Sequence, residues 1–242
     1  MSVLEHLDEL RSRLLKAGVG YVVAFVACWT FSDPVLQFLL KPIREHLFEG
    51  EEIVFINLTE PFMIHMKAAA LLAVFVSAPW VLYQLWAFIA PGLYKKERRM
   101  VIPFLFFGTL FFAGGGAFGY YVAMPQAAEW LIGQGENYRA SLTLRSTFGF
   151  ESRVLLALGA VFEMPILIYF LTRLGLVTPG FLWRQFRIAV LIIAVLSAVL
   201  TPTGDMVTMS LFVVPMILLY LLGIGISWAF APADRSDGDE GS

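Results

Sequence analysis

Long apolar runs separated by short charged stretches set the pattern of this chain. Residues 68–90 and 100–128 contain no Asp, Glu, Lys or Arg, and residues 154–172 contain one, Glu163. A helix needs about 20 apolar residues to cross a hydrocarbon core of about 30 Å, and runs of this length and purity read as membrane spans. Residues 14–31 make another if Lys16 extends its amine to the interface. Residues 188–200 form a shorter run, followed by Thr201-Pro202-Thr203-Gly204-Asp205 and a last apolar segment, 206–230. Pro and Gly mark that pentapeptide as a tight turn, and Asp205 is placed to cap the next helix. The pattern predicts an all-α integral membrane protein with six transmembrane helices at about 14–31, 68–90, 101–124, 154–172, 188–200 and 206–230. They form one membrane domain over 1–230, and the polar, acidic segment 231–242 reads as a disordered tail.

Composition agrees. Of 242 residues, 59% are hydrophobic and 15% charged, with a mean hydropathy of +0.76. A soluble domain carries roughly 25% charge. Cys28 is the only cysteine, which excludes an internal disulfide and zinc–thiolate clusters. It follows Phe25-Val26-Ala27, a faint lipoprotein-like setting, but reads as a small apolar residue within the first span. No cleavable signal pattern and no nucleotide-binding loop is present, and no metal, cofactor or nucleic acid is implied.

Basic residues orient the spans. With both termini inside, the inner loops hold Arg11, Arg13, Lys16, Lys95, Lys96, Arg98, Arg99, Arg173, Arg184, Arg187 and Arg235. The outer side holds Lys41, Arg44, Lys67, Arg139, Arg145 and Arg153. The excess favours an N-in, C-in topology. The outer segments 32–67 and 125–153 mix acids with apolar clusters such as Phe38-Leu39-Leu40, a pattern expected of short interfacial helices capping the outer face.

Three features carry candidate chemistry. Glu163 sits mid-span, where an ionised carboxylate costs several kcal/mol unless it faces protein or water. It reads as a polar site on a translocation or partner-binding path, or as a protonated acid bonded to a neighbouring helix. Asp205 is a helix cap, or a second polar group near Glu163. Glu9 and Glu97 are separate inner-side carboxylates, Glu97 amid Lys95, Lys96, Arg98 and Arg99. Carboxylates bind guanidinium groups in bidentate geometry, so the pair suits a ligand with two arginines. The segment around Glu9 is also an amphipathic helix suited to a membrane surface, with Leu4, Leu7, Leu14 and Leu15 on one stripe.

Several motifs together resemble a known family. Glu5-His6-Leu7-Asp8-Glu9-Leu10-Arg11-Ser12-Arg13-Leu14 is similar to the N-terminal signature of TatC, the receptor subunit of the twin-arginine protein translocase. The likeness continues through Ser77-Ala78-Pro79, Leu82-Tyr83-Gln84-Leu85-Trp86-Ala87-Phe88-Ile89-Ala90-Pro91-Gly92-Leu93-Tyr94 and Glu97-Arg98-Arg99. It resumes at Phe162-Glu163-Met164-Pro165 and at the Asp205 turn. The resemblance implies a concave, glove-like bundle with short fifth and sixth helices in a prokaryotic cytoplasmic (inner) membrane. It implies signal-peptide binding by Glu9 and Glu97, with Arg11, Phe88, Tyr94 and Arg98 in the same patch. Pro42 matches a proline of the periplasmic cap, and Glu163 and Asp205 match polar residues of the cavity and of the turn. The implied partners are twin-arginine signal peptides, single-span TatA- and TatB-type subunits, further copies of the chain and the lipid bilayer. The implied energy source is the proton-motive force. The chain departs from many relatives at Leu221, where a glutamate stands in them, and at Met209, where some carry glutamine.

Two other classes fit less well. A proton-coupled secondary transporter would use Glu163 as carrier, but no internal repeat supports it. An intramembrane aspartyl protease needs two embedded aspartates, and Asp33 and Asp205 both stand at span ends. The expected activity is non-enzymatic.

Overall fold

The computed structural model describes residues 3–48, 50–89, 101–135, 141–201 and 205–230. These residues are almost wholly helical; among them the one extended pairing is a parallel bridge between Val54 and Thr143. Packing divides the chain into two compact units, the first ending at Ala160 and the second beginning at Val161.

In the first unit, α1 (Val3–Trp29) lies antiparallel along α3 (Glu60–Ile89). The seam is a stripe of half-buried positions, Glu9, Arg13, Ala17, Gly20, Tyr21 and Ala24, at helical spacing. Trp80 Nε1 donates to the Lys16 carbonyl at 2.9 Å and Tyr21 Oη to the Ala70 carbonyl at 3.3 Å. Gly20 gives the Trp80 ring its place, since a Cβ there would fall inside the indole. The opposite face of α1 exposes Leu14, Val19, Val22, Val23 and Val26. A face so apolar and so open belongs to a helix solvated by lipid.

The core of this unit gathers on α2 (Ser32–Arg44), whose Leu36, Leu39 and Leu40 pack with Ile64, Leu71, Tyr120, Phe148 and Leu155. Tyr120 stacks on Phe38, ring centroids 4.2 Å apart, and donates to the Phe38 carbonyl at 2.7 Å. It sits in a π-turn, Gly119–Ala123, between α4 (Val101–Phe118) and α5 (Met124–Gly133). Pro125 has no N–H to continue the α ladder, and the Met124 amide instead reaches back to the Gly119 carbonyl. The prolines Pro79 and Pro215, by contrast, lie inside unbroken helices.

Helix α6 (Leu144–Phe162) approaches α4 with backbone nearly touching backbone. A Cβ on Gly115 would lie 2.5 Å from the Leu158 carbonyl oxygen and 2.9 Å from Gly159 Cα. Small residues permit such crossings, which dispersion and weak polar contacts hold in lipid.

The second unit holds α7 (Met164–Arg173), α8 (Pro179–Arg184), α9 (Phe186–Leu200) and α10 (Met206–Phe230). Gly175, at φ +70°, ends α7 with the Leu176 amide bonded to the Leu171 carbonyl, and Thr178 caps α8 by accepting from the Phe181 amide at 3.2 Å. Thr172 Oγ1 and Ser227 Oγ share a buried hydrogen bond of 2.8 Å, and Ile168 fills the notch left by Gly223. Both pairs are 55 residues apart in sequence, so α7 and α10 run parallel. Tyr220 Oη donates to the Leu182 carbonyl at 2.9 Å and fastens α8 to α10.

Five helical segments are long and apolar enough to cross a membrane, and Phe186–Leu200 is a shorter sixth apolar helix. Three sequence expectations change. The segment 125–153, read as a loop with interfacial helices, is largely helical, because the π-turn absorbs Pro125 and α6 begins at Leu144. The fifth helix is short, about 22 Å at 15 residues, but the sixth has 25 residues and is not. Its Pro215 is accommodated without a break. The tail 231–242 lies outside the described residues.

Candidate functional site

The α1–α3 seam ends at a corner where the N-terminal motif meets the last turn of α3. His6 stacks on Phe88 with ring centroids 4.5 Å apart and planes at 25°. One helical turn further along α1, Glu9 points into the seam and is half-buried. Its Oε1 accepts from Arg13 at 3.4 Å, an i, i+4 pair that the helix geometry makes available. Its Oε2 is buried and has no hydrogen-bond partner among the described residues. A carboxylate with one oxygen committed and the other buried and unpaired is an acceptor set for a cationic donor.

Arg11 is exposed at this corner. Gln84 is buried on α3, and its Oε1 also lacks a partner among the described residues. By the antiparallel register of α1 and α3 it lies within about a turn of Glu9 along the axis. Trp86, fully buried, packs on Phe104 at 5.0 Å between centroids and anchors this end of α3 to α4. Of the predicted patch, Glu9, Arg11 and Phe88 thus share one corner. Glu97, Tyr94 and Arg98 lie outside the described residues.

Sequence reasoning quoted His6 and Gln84 in motifs without giving them a role. Gln84 had a signal, as a polar side chain in an otherwise apolar run. His6 had none, because the stacking depends on helix register.

The polar residues of the second unit separate. Glu163 lies between α6 and α7 at φ −71° and ψ −14°, half-buried, with Oε1 buried and unpartnered among the described residues. Pro165 removes the amide that would bond the Val161 carbonyl, which breaks the helix at this point. Asp205 caps α10, its Oδ1 accepting from the Thr208 amide at 2.8 Å. The register of α7 on α10 sets Glu163 level with Leu218, about 13 residues or roughly 20 Å along the axis from Asp205. The two acids do not form one polar cluster. The nearer polar group is Ser197, bonded to Met216 Sδ at 3.4 Å.

A third acid escaped the sequence reading. Glu151, assigned to a loop, is 0% exposed on α6, and neither carboxyl oxygen has a partner among the described residues. The spacing Phe148, Glu151, Leu155, Leu158 places it on the buried stripe and was the available signal. Pro42 is buried in α2, where its carbonyl binds His46 Nδ1 at 2.7 Å. Among the described residues no three His, Cys, Asp or Glu side chains converge as metal ligands.

Comparison with known proteins gives a consistent result. The family model described as TatC, Sec-independent protein translocase protein, matches residues 5–215. The Sec-independent protein translocase protein TatC of Koribacter versatilis (strain Ellin345) is 43% identical over 238 residues, 97% of this chain and 88% of that protein. TatCy of Bacillus subtilis (strain 168) is 36% identical over 236 residues, 95% of this chain and 89% of its own. A crystal structure of the twin arginine translocase receptor TatC superposes with a TM-score of 0.82 at 31% identity, covering 93% of this chain and 98% of that one. A second, of the same receptor in DDM, gives 0.84 at 31% identity and covers 92% and 99%.

Proposed function

Because this chain belongs to the TatC family of Sec-independent protein translocase proteins, and is a multi-pass, non-enzymatic translocase subunit, we propose that it is the receptor for twin-arginine signal peptides. The observation that carries the reading is the His6–Phe88 stack, which brings the Glu9 segment beside the end of α3 that leads into the hairpin at 90–100. Glu9 and Glu97 each take one guanidinium of the arginine pair. Phe88 and Tyr94 flank the peptide, and Arg11 and Arg98 complete the charge pattern of the patch. The unpaired Glu9 Oε2 supports this role, since a guanidinium fork supplies the donor it lacks.

In this reading both termini are cytoplasmic and six helices form a glove-like bundle in the inner membrane. The chain assembles with single-span TatA- and TatB-type subunits and with further copies of itself, and export draws on the proton-motive force. Glu163 and Asp205 act separately: Glu163 faces the transport path, and Asp205 shapes the turn before α10. Pro42 stiffens the cap.

The test is binding of a fluorescent twin-arginine signal peptide to the detergent-solubilised protein, against the same peptide with both arginines changed to lysine. Lysine keeps the charge and loses the bidentate fork. A preference for arginine that disappears in the Glu9→Ala, Glu97→Ala double variant is expected. Equal affinity of the folded double variant for both peptides would overturn the site.

A further inference from the structure

At the far end of the first unit from the His6–Phe88 corner, two outer segments are tied together. Val54 exchanges backbone hydrogen bonds with Leu142 and Leu144 at 2.9 and 2.8 Å. Glu60, buried at the start of α3, gathers three amides: Ile56 at 3.1 Å and Asn57 at 3.4 Å onto Oε2, and Arg145 at 2.8 Å onto Oε1. Those bonds fix the Arg145 backbone beside α3 and occupy the Glu60 carboxylate.

Beside them lies a cavity of about 320 Å³ lined by Asn57, Thr59, Glu60, Met63, Lys67 and Arg145. Lys67 and Arg145 are exposed, and neither makes an ion pair among the described residues. With Glu60 counted, the cavity carries one net positive charge, the complement of one phosphodiester.

Two further observations set its depth and surroundings. Lys67 is the last charged residue before the uncharged run 68–90, so its amine stands where hydrocarbon gives way to headgroups. The loop entering α3 presents apolar side chains outward: Leu58 is 92% exposed, Ile56 74%, Phe62 58% and Phe55 57%. An apolar loop tip beside unpaired cations at this depth matches a surface inserted among lipids, with the cations at phosphate level.

We propose that Lys67 and Arg145 form a phospholipid site, in which they hold the phosphate of one lipid while Phe55, Ile56, Leu58 and Phe62 enter the leaflet around its chains. Asn57 and Thr59 supply hydrogen-bonding groups at the rim. Under the orientation proposed above this is the extracytoplasmic leaflet, but the site rests on its own geometry and stands apart from signal-peptide binding.

Native mass spectrometry of the full-length protein in detergent tests it, with phosphatidylglycerol titrated into the wild type, Lys67→Gln/Arg145→Gln and Lys41→Gln. Lys41 is an exposed cation of α2 outside the cavity, so its variant controls for loss of charge. The double variant is expected to bind the lipid about tenfold or more weakly, with Lys41→Gln unchanged. Diacylglycerol, which lacks the phosphate, is expected to bind the wild type as weakly as phosphatidylglycerol binds the double variant. Equal phosphatidylglycerol binding by the wild type and the double variant would overturn the site. So would equal binding of diacylglycerol and phosphatidylglycerol by the wild type. Displacement of the lipid by millimolar inorganic phosphate would overturn the lipid assignment in favour of a small-anion site.

Discussion

Three consecutive glycines in α4 offer an internally controlled test of how the first unit packs. A Cβ added at Gly114 meets nothing within 4 Å; one at Gly115 meets the Leu158 carbonyl at 2.5 Å; one at Gly116 meets the Phe75 ring at 2.5 Å. Ordinary contact begins near 3.4 Å, so Gly115→Ala pushes α4 and α6 apart by about 0.9 Å, through backbone that has no rotamer to change. Overpacking of this kind costs about 1–3 kcal/mol, partly offset by the roughly 0.5–1 kcal/mol that alanine gains over glycine within a helix. Gly114→Ala receives the gain without the cost. Gly116→Ala falls between them, since Phe75 can turn aside. At about 2–4 °C per kcal/mol for a chain of this size, Gly114→Ala and Gly115→Ala should melt several degrees apart, roughly 4–10 °C. The reporter is already present: Cys28, the sole cysteine, is 4% exposed and becomes reactive to a thiol-sensitive dye on unfolding. Equal midpoints for the three variants, or a Gly115→Ala midpoint above that of wild type, would refute the close α4–α6 crossing.

Glu151→Leu replaces a buried carboxyl that has no partner among the described residues with an apolar group of similar size. It should stabilise the protein by about 1–3 kcal/mol in the same dye assay, and a lower midpoint would show that the carboxyl is satisfied. A double-mutant cycle of Thr172→Val and Ser227→Ala should give a coupling of about 0.6–1.7 kcal/mol, and additivity would mean that their 2.8 Å bond contributes nothing. His6→Ala should weaken signal-peptide binding about two- to tenfold while His6→Phe retains it, because a ring on Phe88 is what the corner requires. Equal losses in the two variants would mean that the imidazole nitrogens, not the stacking, matter.

The spans were legible because lipid imposes one demand on every residue of a crossing helix, and uncharged runs such as 68–90 record it directly. Asp205 as a helix cap was legible for a similar reason, since its bond to Thr208 is local. The extent of the helices around Pro125 was not legible. Proline normally argues for a boundary, and only the shift of one hydrogen bond to Gly119 lets the helix continue. Glu151 was lost for the same reason: once 125–153 was read as a loop, its charge looked ordinary. The distance between Glu163 and Asp205 depends on the parallel register of α7 and α10, set by Ile168 against Gly223 and Thr172 against Ser227, contacts that no local pattern encodes. Glu9 was identified by its chemistry, whereas its unpaired oxygen is a property of the α1–α3 seam.

The π-turn at Gly119–Ala123 makes this stretch sensitive to counting. It amounts to one residue more than a regular helix would use, and a deletion within it would restore a smooth α-helix from α4 to α5. The same deletion would turn α5 by about 100° about its axis, taking the buried face of Met124, Ala127 and Ala128 out of the core. It would also rotate Tyr120 off Phe38. Substitutions here are judged residue by residue, but a change in length re-aims everything downstream, so this helix tolerates variation in spelling far better than variation in length.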